Sequence, residues 1–451
     1  MTAAKRQLKL ALFMNTTEYA WLYEKARSES EFDFAFYRDL AQMAERARFD
    51  AVFLADIVAV NDRNRGLEAA GHMGNAVVYE PLTMLGALSA VTEKIGLVAT
   101  ASTTYHQPFH IARMIGSLDH LSKGRIGWNV VTSQGESEAA AFGLDAQLDP
   151  GFRYDRASEF VDLVFDLWNS WEGDAFLRDK ASTRYFDPSK VHPVDHRGKH
   201  FKVRGALNVP RPPQGRPVIS QAGSSEAGFE LAARTADVMF CAPGSLERGK
   251  AFSANIRERM VKYGRGPDEV AIMPGLFVVA GGTEEEARRK YADAQAATPD
   301  SFKLQSIDRY LGGVGALEWD LDKPIPTTAE EGAARLRRRV TFEIDGRRMT
   351  ARELGDQITS CYGHITCIGA VEQVADTMEA WLMERACDGF TLFPHYLPGN
   401  AHDFGQLVVP ELQRRGIFRK DYEGSTFRDH LGLASPQHPA SDRNAARLAG
   451  Q

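Results

Sequence analysis

Eight short apolar runs, each followed by an amphipathic helical stretch, constrain this chain more than any other feature of its sequence. The runs are Leu8–Asn15, Ala51–Asp56, Ile95–Thr103, Arg125–Ser133, Pro217–Gly223, Asp237–Pro243, Val270–Ala280 and Gly389–Pro394. Near-continuous apolar character over so short a span marks strands buried on both faces. Between them, Phe36, Leu40, Met43 and Ala44 recur at helical spacing, and Pro81 and Pro108 stand where helices open. A long amphipathic helix is predicted from Tyr154 to Trp171, and others over Ser224–Ala236, Leu246–Tyr263, Thr283–Ala296, Val371–Ala386 and Ala401–Arg415. Strand–helix alternation implies parallel strands joined by crossover helices. The predicted fold class is therefore α/β, an eightfold (β/α)8 TIM barrel; an open doubly wound sheet is the competing arrangement.

A barrel occupies ~250 residues, so a chain of 451 carries insertions. Residues 1–434 read as one domain with insertions after strands four and seven, at about 172–216 and 297–369. A shorter excursion spans 57–80. The second insertion is polar, with Arg335, Arg337, Arg338 and Arg339 close together. Long excursions of this kind are usually lids or binding loops. The Pro/Ser/Ala-rich tail, 435–451, is predicted to be disordered.

With 54 basic against 60 acidic residues and a net charge of -6, the chain lacks the basic footprint of a nucleic-acid binder. Lys9 interrupts the first apolar run, and nothing approaches the ~20 apolar residues of a membrane span. A cytoplasmic protein without membrane or nucleic-acid partners is expected. Cys241, Cys361, Cys367 and Cys387 form no C-x-x-C pair and read as free thiols.

A TIM barrel keeps its chemistry at the C-terminal ends of its strands. There the sequence places Asp56, then Ser102 and Thr103, then Asn129, Thr132 and Ser133, and then QAGSSEAG, Gln221 to Gly228. Mostly neutral hydrogen-bonding groups with one carboxylate suit a large polar cofactor better than a metal ion. Ser224 and Ser225 stand at a helix start, whose free N–H groups attract phosphate; a plain N-cap is the simpler reading. Arg153 and Tyr154 open the helix after strand four and are candidates for the same phosphate. Asp56 is a candidate ligand or base, or else a turn cap. His106/His110 and His192/His196/His200 have zinc-like spacing, but Pro108, Pro193 and Gly198 interrupt both sets. No metal site is expected. G-x-S-x-G, Walker A and G-x-G-x-x-G motifs are absent.

Several segments together resemble the bacterial luciferase-like flavin monooxygenases. They are VFLAD (Val52–Asp56), ASTTY (Ala101–Tyr105), LDHLSKGRIGWNVVTS (Leu118–Ser133), RYDRASEF (Arg153–Phe160), LWNSW (Leu167–Trp171), HRGKHFKVRGALNVPRPPQGRPV (His196–Val218), QAGSSEAG and FRDHLGL (Phe427–Leu433). The branch they resemble holds nitrilotriacetate monooxygenase component A and dibenzothiophene-sulfone monooxygenase. The resemblance implies a TIM barrel that takes FMN as FMNH2 from a separate NAD(P)H-dependent flavin reductase. With O2 it would insert one oxygen into a small organic substrate, with C–N or C–S cleavage. A homo-oligomer, dimer or tetramer, is also implied. Asp56, Ser102 or Thr103, and Asn129 would line the isoalloxazine and ribityl region; Tyr154, Ser224 and Ser225 would hold the phosphate. Members commonly carry a His four residues before this tyrosine, where this chain has Pro150. His106 and His395 are the substitutes left for its acid–base role. The alternative is a flavin-binding protein or oxidase of the same fold without substrate oxygenation.

Overall fold

The computed structural model describes residues 6–15, 17–27, 32–61, 66–327, 342–344, 346–361 and 364–440. All eight predicted strands form: β1 (Lys9–Phe13), β2 (Ala51–Leu54), β3 (Gly96–Ser102), β4 (Ile126–Val131), β5 (Val218–Gln221), β6 (Val238–Cys241), β7 (Ala271–Gly281) and β8 (Gly389–Phe393). Each pairs in parallel with its neighbour in sequence. β8 also pairs with β1, setting Leu10 opposite Phe390, so the sheet closes. That closure removes the open-sheet alternative, which needs two free edges.

Helices α1 (Phe34–Arg46), α2 (Pro81–Ser89), α3 (Pro108–Leu121), α4 (Pro150–Trp168), α5 (Glu226–Thr235) and α6 (Leu246–Val261) each follow the strand of the same number. Pro81, Pro108 and Pro150 occupy first turns, where a missing N–H costs nothing. Outward strand residues such as Leu10, Val52, Leu97 and Trp128 join the helices' apolar faces in one core.

Inside the barrel the two-residue alternation of each strand stacks residues in layers. Ala11, Ala51, Val98, Val218, Val238 and Ala271 fill the N-terminal end. Against them sits the short helix Phe427–Leu431, which plugs the barrel floor. Gly96 and Gly127 make room for Phe427: a Cβ on Gly96 would fall 2.5 Å from the ring. Arg428 and Asp237 are both buried and paired at 2.6 Å. The FRDHLGL segment is thus structural, far from the mouth.

The first insertion holds an antiparallel hairpin, Val194–Arg197 with Lys202–Gly205, packed along α4. The second insertion follows α7 (Glu284–Ala296) and contains helices Asp300–Leu311 and Ala351–Cys361. These two share their own apolar cluster around Ile307, Leu311, Leu354 and Ile358. A strand not expected from sequence, Ile365–Ala370, then runs parallel to the C-terminal half of β7 before α8 (Val371–Met383). Its pattern is half-exposed and one-sided, which hides it from an apolar-run reading. The arginine cluster at 335–339 lies outside the described residues.

The predicted disordered tail differs in its first part. Residues 435–440 pack on the first insertion: Arg211 donates to the Pro436 carbonyl at 2.7 Å, and His438 donates to Asn169 at 2.9 Å. Residues 441–451 lie outside the described residues. No helix among the described residues is long and apolar enough to cross a membrane.

Candidate active site

At the barrel mouth the next inward layer divides in two. Strands β1, β2, β6 and β8 present Phe13, Phe53, Phe240 and Phe393: Phe13 stacks on Phe53 at 5.9 Å and on Phe393 at 4.3 Å, and Phe240 meets Phe393 at a tilt, 5.7 Å away. Strands β3 and β4 present Thr100, Ser102 and Asn129 instead, and these line a cavity of about 300 Å³; Gln221 at the end of β5 borders it too, but its side chain turns outward and donates to Thr235 Oγ1 on α5 at 2.9 Å. Asp56 and Tyr154 lie on the same wall. One side of the mouth is therefore aromatic and the other hydrogen-bonding.

Four predicted site residues thus meet in one cavity: Asp56, Ser102, Asn129 and Tyr154. Asn129 donates from Nδ2 to Thr100 Oγ1 at 2.8 Å, while its buried Oδ1 has no partner among the described residues. A buried acceptor left open in a cavity wall is a costly arrangement unless a ligand fills it. Ser102 Oγ accepts from Ser133 Oγ at 2.9 Å and from the Thr104 N–H at 3.1 Å.

Thr103 corrects the expectation. Alternation along β3 turns it away from Ser102's side, and its hydroxyl and N–H both donate to the Val131 carbonyl. The residue that faces the cavity is Thr100, two before Ser102 and so on the same face; that spacing was the available signal. Arg153 is also spent. Its guanidinium donates to the carbonyls of Leu148, Thr132 and Ser133, holding Ser133 in a left-handed conformation (φ 50°). It does not point to a phosphate site.

Tyr154 lies one helical turn into α4, with its hydroxyl against the start of α5. A Cβ on Gly223 would lie 3.2 Å from that oxygen and 2.9 Å from the Gly228 Cα; one on Gly228 would lie 3.0 Å from both. Only two glycines let the strand end, helix start and phenol converge this closely. Tyr154 Oη makes no hydrogen bond with the described residues. Ser225 caps α5, accepting from the Gly228 N–H at 3.1 Å, so the N-cap reading holds for its oxygen while its own proton stays available. Ser224 and Ser225 are exposed beside Gly223 at the edge of the cavity rather than in its wall.

A second chamber of about 240 Å³ adjoins the first. Glu18, Asn61, Met73, Ala76 and Ser137 contribute to it, and Asp56 and Glu138 belong to both walls. Sequence reasoning missed Glu138, which stands on the short helix Glu136–Ala141 after β4; no sequence signal marked it. Its Oε2 accepts from the Gly135 N–H at 2.8 Å. The Asp56 carboxyl is held up at about 6, first by burial and then by the Glu80 and Glu138 carboxylates.

Neither histidine candidate lines these cavities. His106 is tied through Nδ1 to the Ser102 carbonyl at 3.0 Å. His395 is buried among Phe277, Tyr291 and Tyr396, both ring nitrogens lack partners among the described residues, and burial lowers it to about 4. Pro150 is exposed at the first turn of α4. The zinc-spaced histidines separate onto individual carboxylates: His192 on Glu172, His196 on Glu159 and His200 on Asp155, at 2.7–2.9 Å.

The sequence and the architecture match known proteins over nearly the whole chain. The luciferase-like monooxygenase profile covers residues 9–388. The chain belongs to the luciferase-like monooxygenase family. Nitrilotriacetate monooxygenase component A of Aminobacter aminovorans is 46% identical over 93% of this chain and 94% of its own length. N-acetyl-S-(2-succino)cysteine monooxygenase of Bacillus subtilis (strain 168) is 45% identical over 97% of this chain and 99% of its own. Among solved structures, long-chain alkane monooxygenase superposes with a TM-score of 0.81 at 34% identity, covering 98% of this chain and 100% of that one. This luciferase-like monooxygenase is accordingly a flavin-dependent oxidoreductase, and its cleft has the donor set a flavin requires. That set comprises an open buried acceptor, neutral hydroxyls, an aromatic wall and a glycine-built gap beside a helix N-terminus.

Proposed function

We propose that this enzyme is the oxygenase component of a two-component system, taking FMNH2 from an NAD(P)H-dependent flavin reductase. The observation that carries the reading is the Tyr154 hydroxyl, without a hydrogen-bond partner among the described residues, held against Gly223 and Gly228 where α5 begins. A helix N-terminus offers unbonded N–H groups and positive partial charge. With Tyr154 and the Ser224 and Ser225 hydroxyls it would grip the FMN phosphate. Asn129, Thr100 and Ser102 would meet the polar ribityl and ring edges, and Asp56 stands beside them. Phe13 and Phe53 would cover the apolar ring edge. Bound FMNH2 supplies two electrons to O2, leaving one oxygen atom for the substrate and the other for water.

The protein's part is to orient the flavin, exclude water and move protons. Phe302 on the helix Asp300–Leu311 stacks on Tyr19 at 5.2 Å and meets His72 at 4.7 Å, and Arg309 pairs with Glu18 at 2.8 Å. The second insertion therefore covers the chamber beside the flavin cleft, as a lid should. Two relatives near 45% identity are named for nitrilotriacetate and N-acetyl-S-(2-succino)cysteine, which carry C–N and C–S bonds. A small substrate cleaved at such a bond follows for this chain, in a cytoplasmic homo-oligomer. The test supplies FMN, a flavin reductase, NADH and 18O2 with a panel of amines and thioethers, read by mass spectrometry. Oxygen-18 in a cleaved product supports the reading. Peroxide alone, with every panel member intact, supports an oxidase of the same fold, and no FMN binding overturns both.

A further inference from the structure

We infer that Asp56 is the proton-transfer group of this flavin site, standing where the flavin cleft opens into the side chamber. The inference rests on the FMN reading above, and the argument begins with position. Asp56 follows the last residue of β2 by two and belongs to the walls of both cavities. With Glu138, it is one of two carboxyl groups common to the two walls.

Elimination makes the same case. The hydroxyls and amides of Thr100, Ser102, Asn129 and Gln221 do not titrate near neutrality. Glu138 shares both walls and, like Asp56, accepts one backbone N–H, from Gly135; it stands on the loop helix Glu136–Ala141, whereas Asp56 stands at the end of a barrel strand. His106 is bonded to a backbone carbonyl, His395 lies in its aromatic cage, and proline occupies position 150. Asp56 keeps its carboxyl for the cavities, with a single hydrogen bond from the Ile57 N–H.

Charge agrees with position. The groups facing Asp56 are the carboxylates of Glu80 at the start of α2 and Glu138 after β4, and Glu18 lines the same chamber with Arg309 on it. Burial and these like charges hold Asp56 at about 6, so both protonation states are accessible near neutral pH.

The proton balance is simple. Two electrons and two protons leave FMNH2 as O2 is reduced: FMNH2 + O2 gives FMN + H2O2, or, with substrate S, FMN + SO + H2O. Asp56 as carboxylate takes one of those protons and returns the same proton to the outgoing oxygen, ending as it began.

The substrate-free half makes a test that needs no known substrate. Enzyme loaded with photoreduced FMN is mixed with O2, and the return of oxidised FMN is followed across pH 5–9. Oxidised-FMN affinity is measured separately by fluorescence quenching. In the wild type the rate should rise through about pH 6 to a plateau, because the carboxylate is the accepting form. Asp56→Asn should flatten that profile and slow the plateau about 100-fold, the low end for a lost acid–base group. Its FMN affinity should stay within about threefold, and Asp56→Glu should restore the pH step. An Asp56→Asn profile matching wild type overturns the inference. So does a tenfold loss of FMN affinity with normal kinetics in the bound fraction, which makes Asp56 a flavin ligand only. A misfolded Asp56→Asn leaves the decision to Asp56→Glu, whose profile must shift with the longer carboxyl. Wild-type enzyme that binds no FMN defeats the function above rather than this residue's role.

Discussion

Replacing Tyr154 with Phe removes one oxygen atom and nothing else from the cleft. That oxygen has no hydrogen bond to lose among the described residues, so folding stability should move by less than about 0.5 kcal/mol. If the phenol donates to a phosphate, the lost bond to a charged acceptor is worth about 1.5–3 kcal/mol. Oxidised FMN should then bind about 10- to 160-fold more weakly, at about 1.4 kcal/mol per factor of ten. Riboflavin, which lacks the phosphate, should bind wild type and Tyr154→Phe alike. Gly228→Ala approaches the same contact from the other side. Its Cβ would sit 3.0 Å from the phenol oxygen and from the Gly223 Cα, so the tyrosine or the helix must yield. FMN affinity should fall at least as far, and adding Tyr154→Phe to Gly228→Ala should cost little more, since both act on one contact. Fluorescence titration of FMN and riboflavin against all four proteins decides it. Equal losses for the two flavins, or an unchanged FMN affinity in Tyr154→Phe, would refute the placement of the phosphate.

Three further outcomes follow from packing and charge. Phe427→Ala should cost about 3–5 kcal/mol in urea unfolding. Gly96→Ala drives a Cβ to 2.5 Å from that ring and should cost about 1–3 kcal/mol on its own, but almost nothing once the ring is gone; strictly additive losses would show that ring and glycine do not share the space. His395→Phe should stabilise the protein by about 2 kcal/mol at pH 5 and leave it unchanged at pH 8. The imidazole is held near 4 when folded, against 6.5 unfolded, so its contribution is present above 6.5 and lost as pH falls toward 4; a mutant whose thermal unfolding parallels wild type across that range contradicts this. Arg428→Ala leaves Asp237 buried without its partner and should cost about 3–5 kcal/mol, whereas Arg428→Met with Asp237→Asn should recover part of it; calorimetry that finds the double variant as unstable as the single would argue against the pair.

The barrel was legible because parallel strands covered on both faces must be apolar throughout, and that property is local. The second strand reads out to Asp56 by composition, yet it ends at Leu54, which is what frees Asp56 to stand in the mouth. The strand Ile365–Ala370 was not legible: Thr366 and Cys367 sit in a half-exposed, one-sided position where no apolar run is needed. Naming Thr103 beside Ser102, without Thr100, missed the phase of β3: Thr100 and Ser102 share a face, and Thr103 lies on the other. Contacts distant along the chain carried no local mark at all. Nothing near Gly96 announces Phe427, and nothing near Asp56 announces Glu138. His438 on Asn169 is another case, where Pro/Ser/Ala-rich composition suggested disorder and a buried imidazole, with Arg211 on the Pro436 carbonyl, supplies the anchor.

The floor of the barrel is delivered late. The segment that covers Ala11, Ala51, Val98 and Val218 is encoded some thirty residues after β8. A message cut short near codon 420 would therefore encode the mouth, cleft and lid on a vessel without its base.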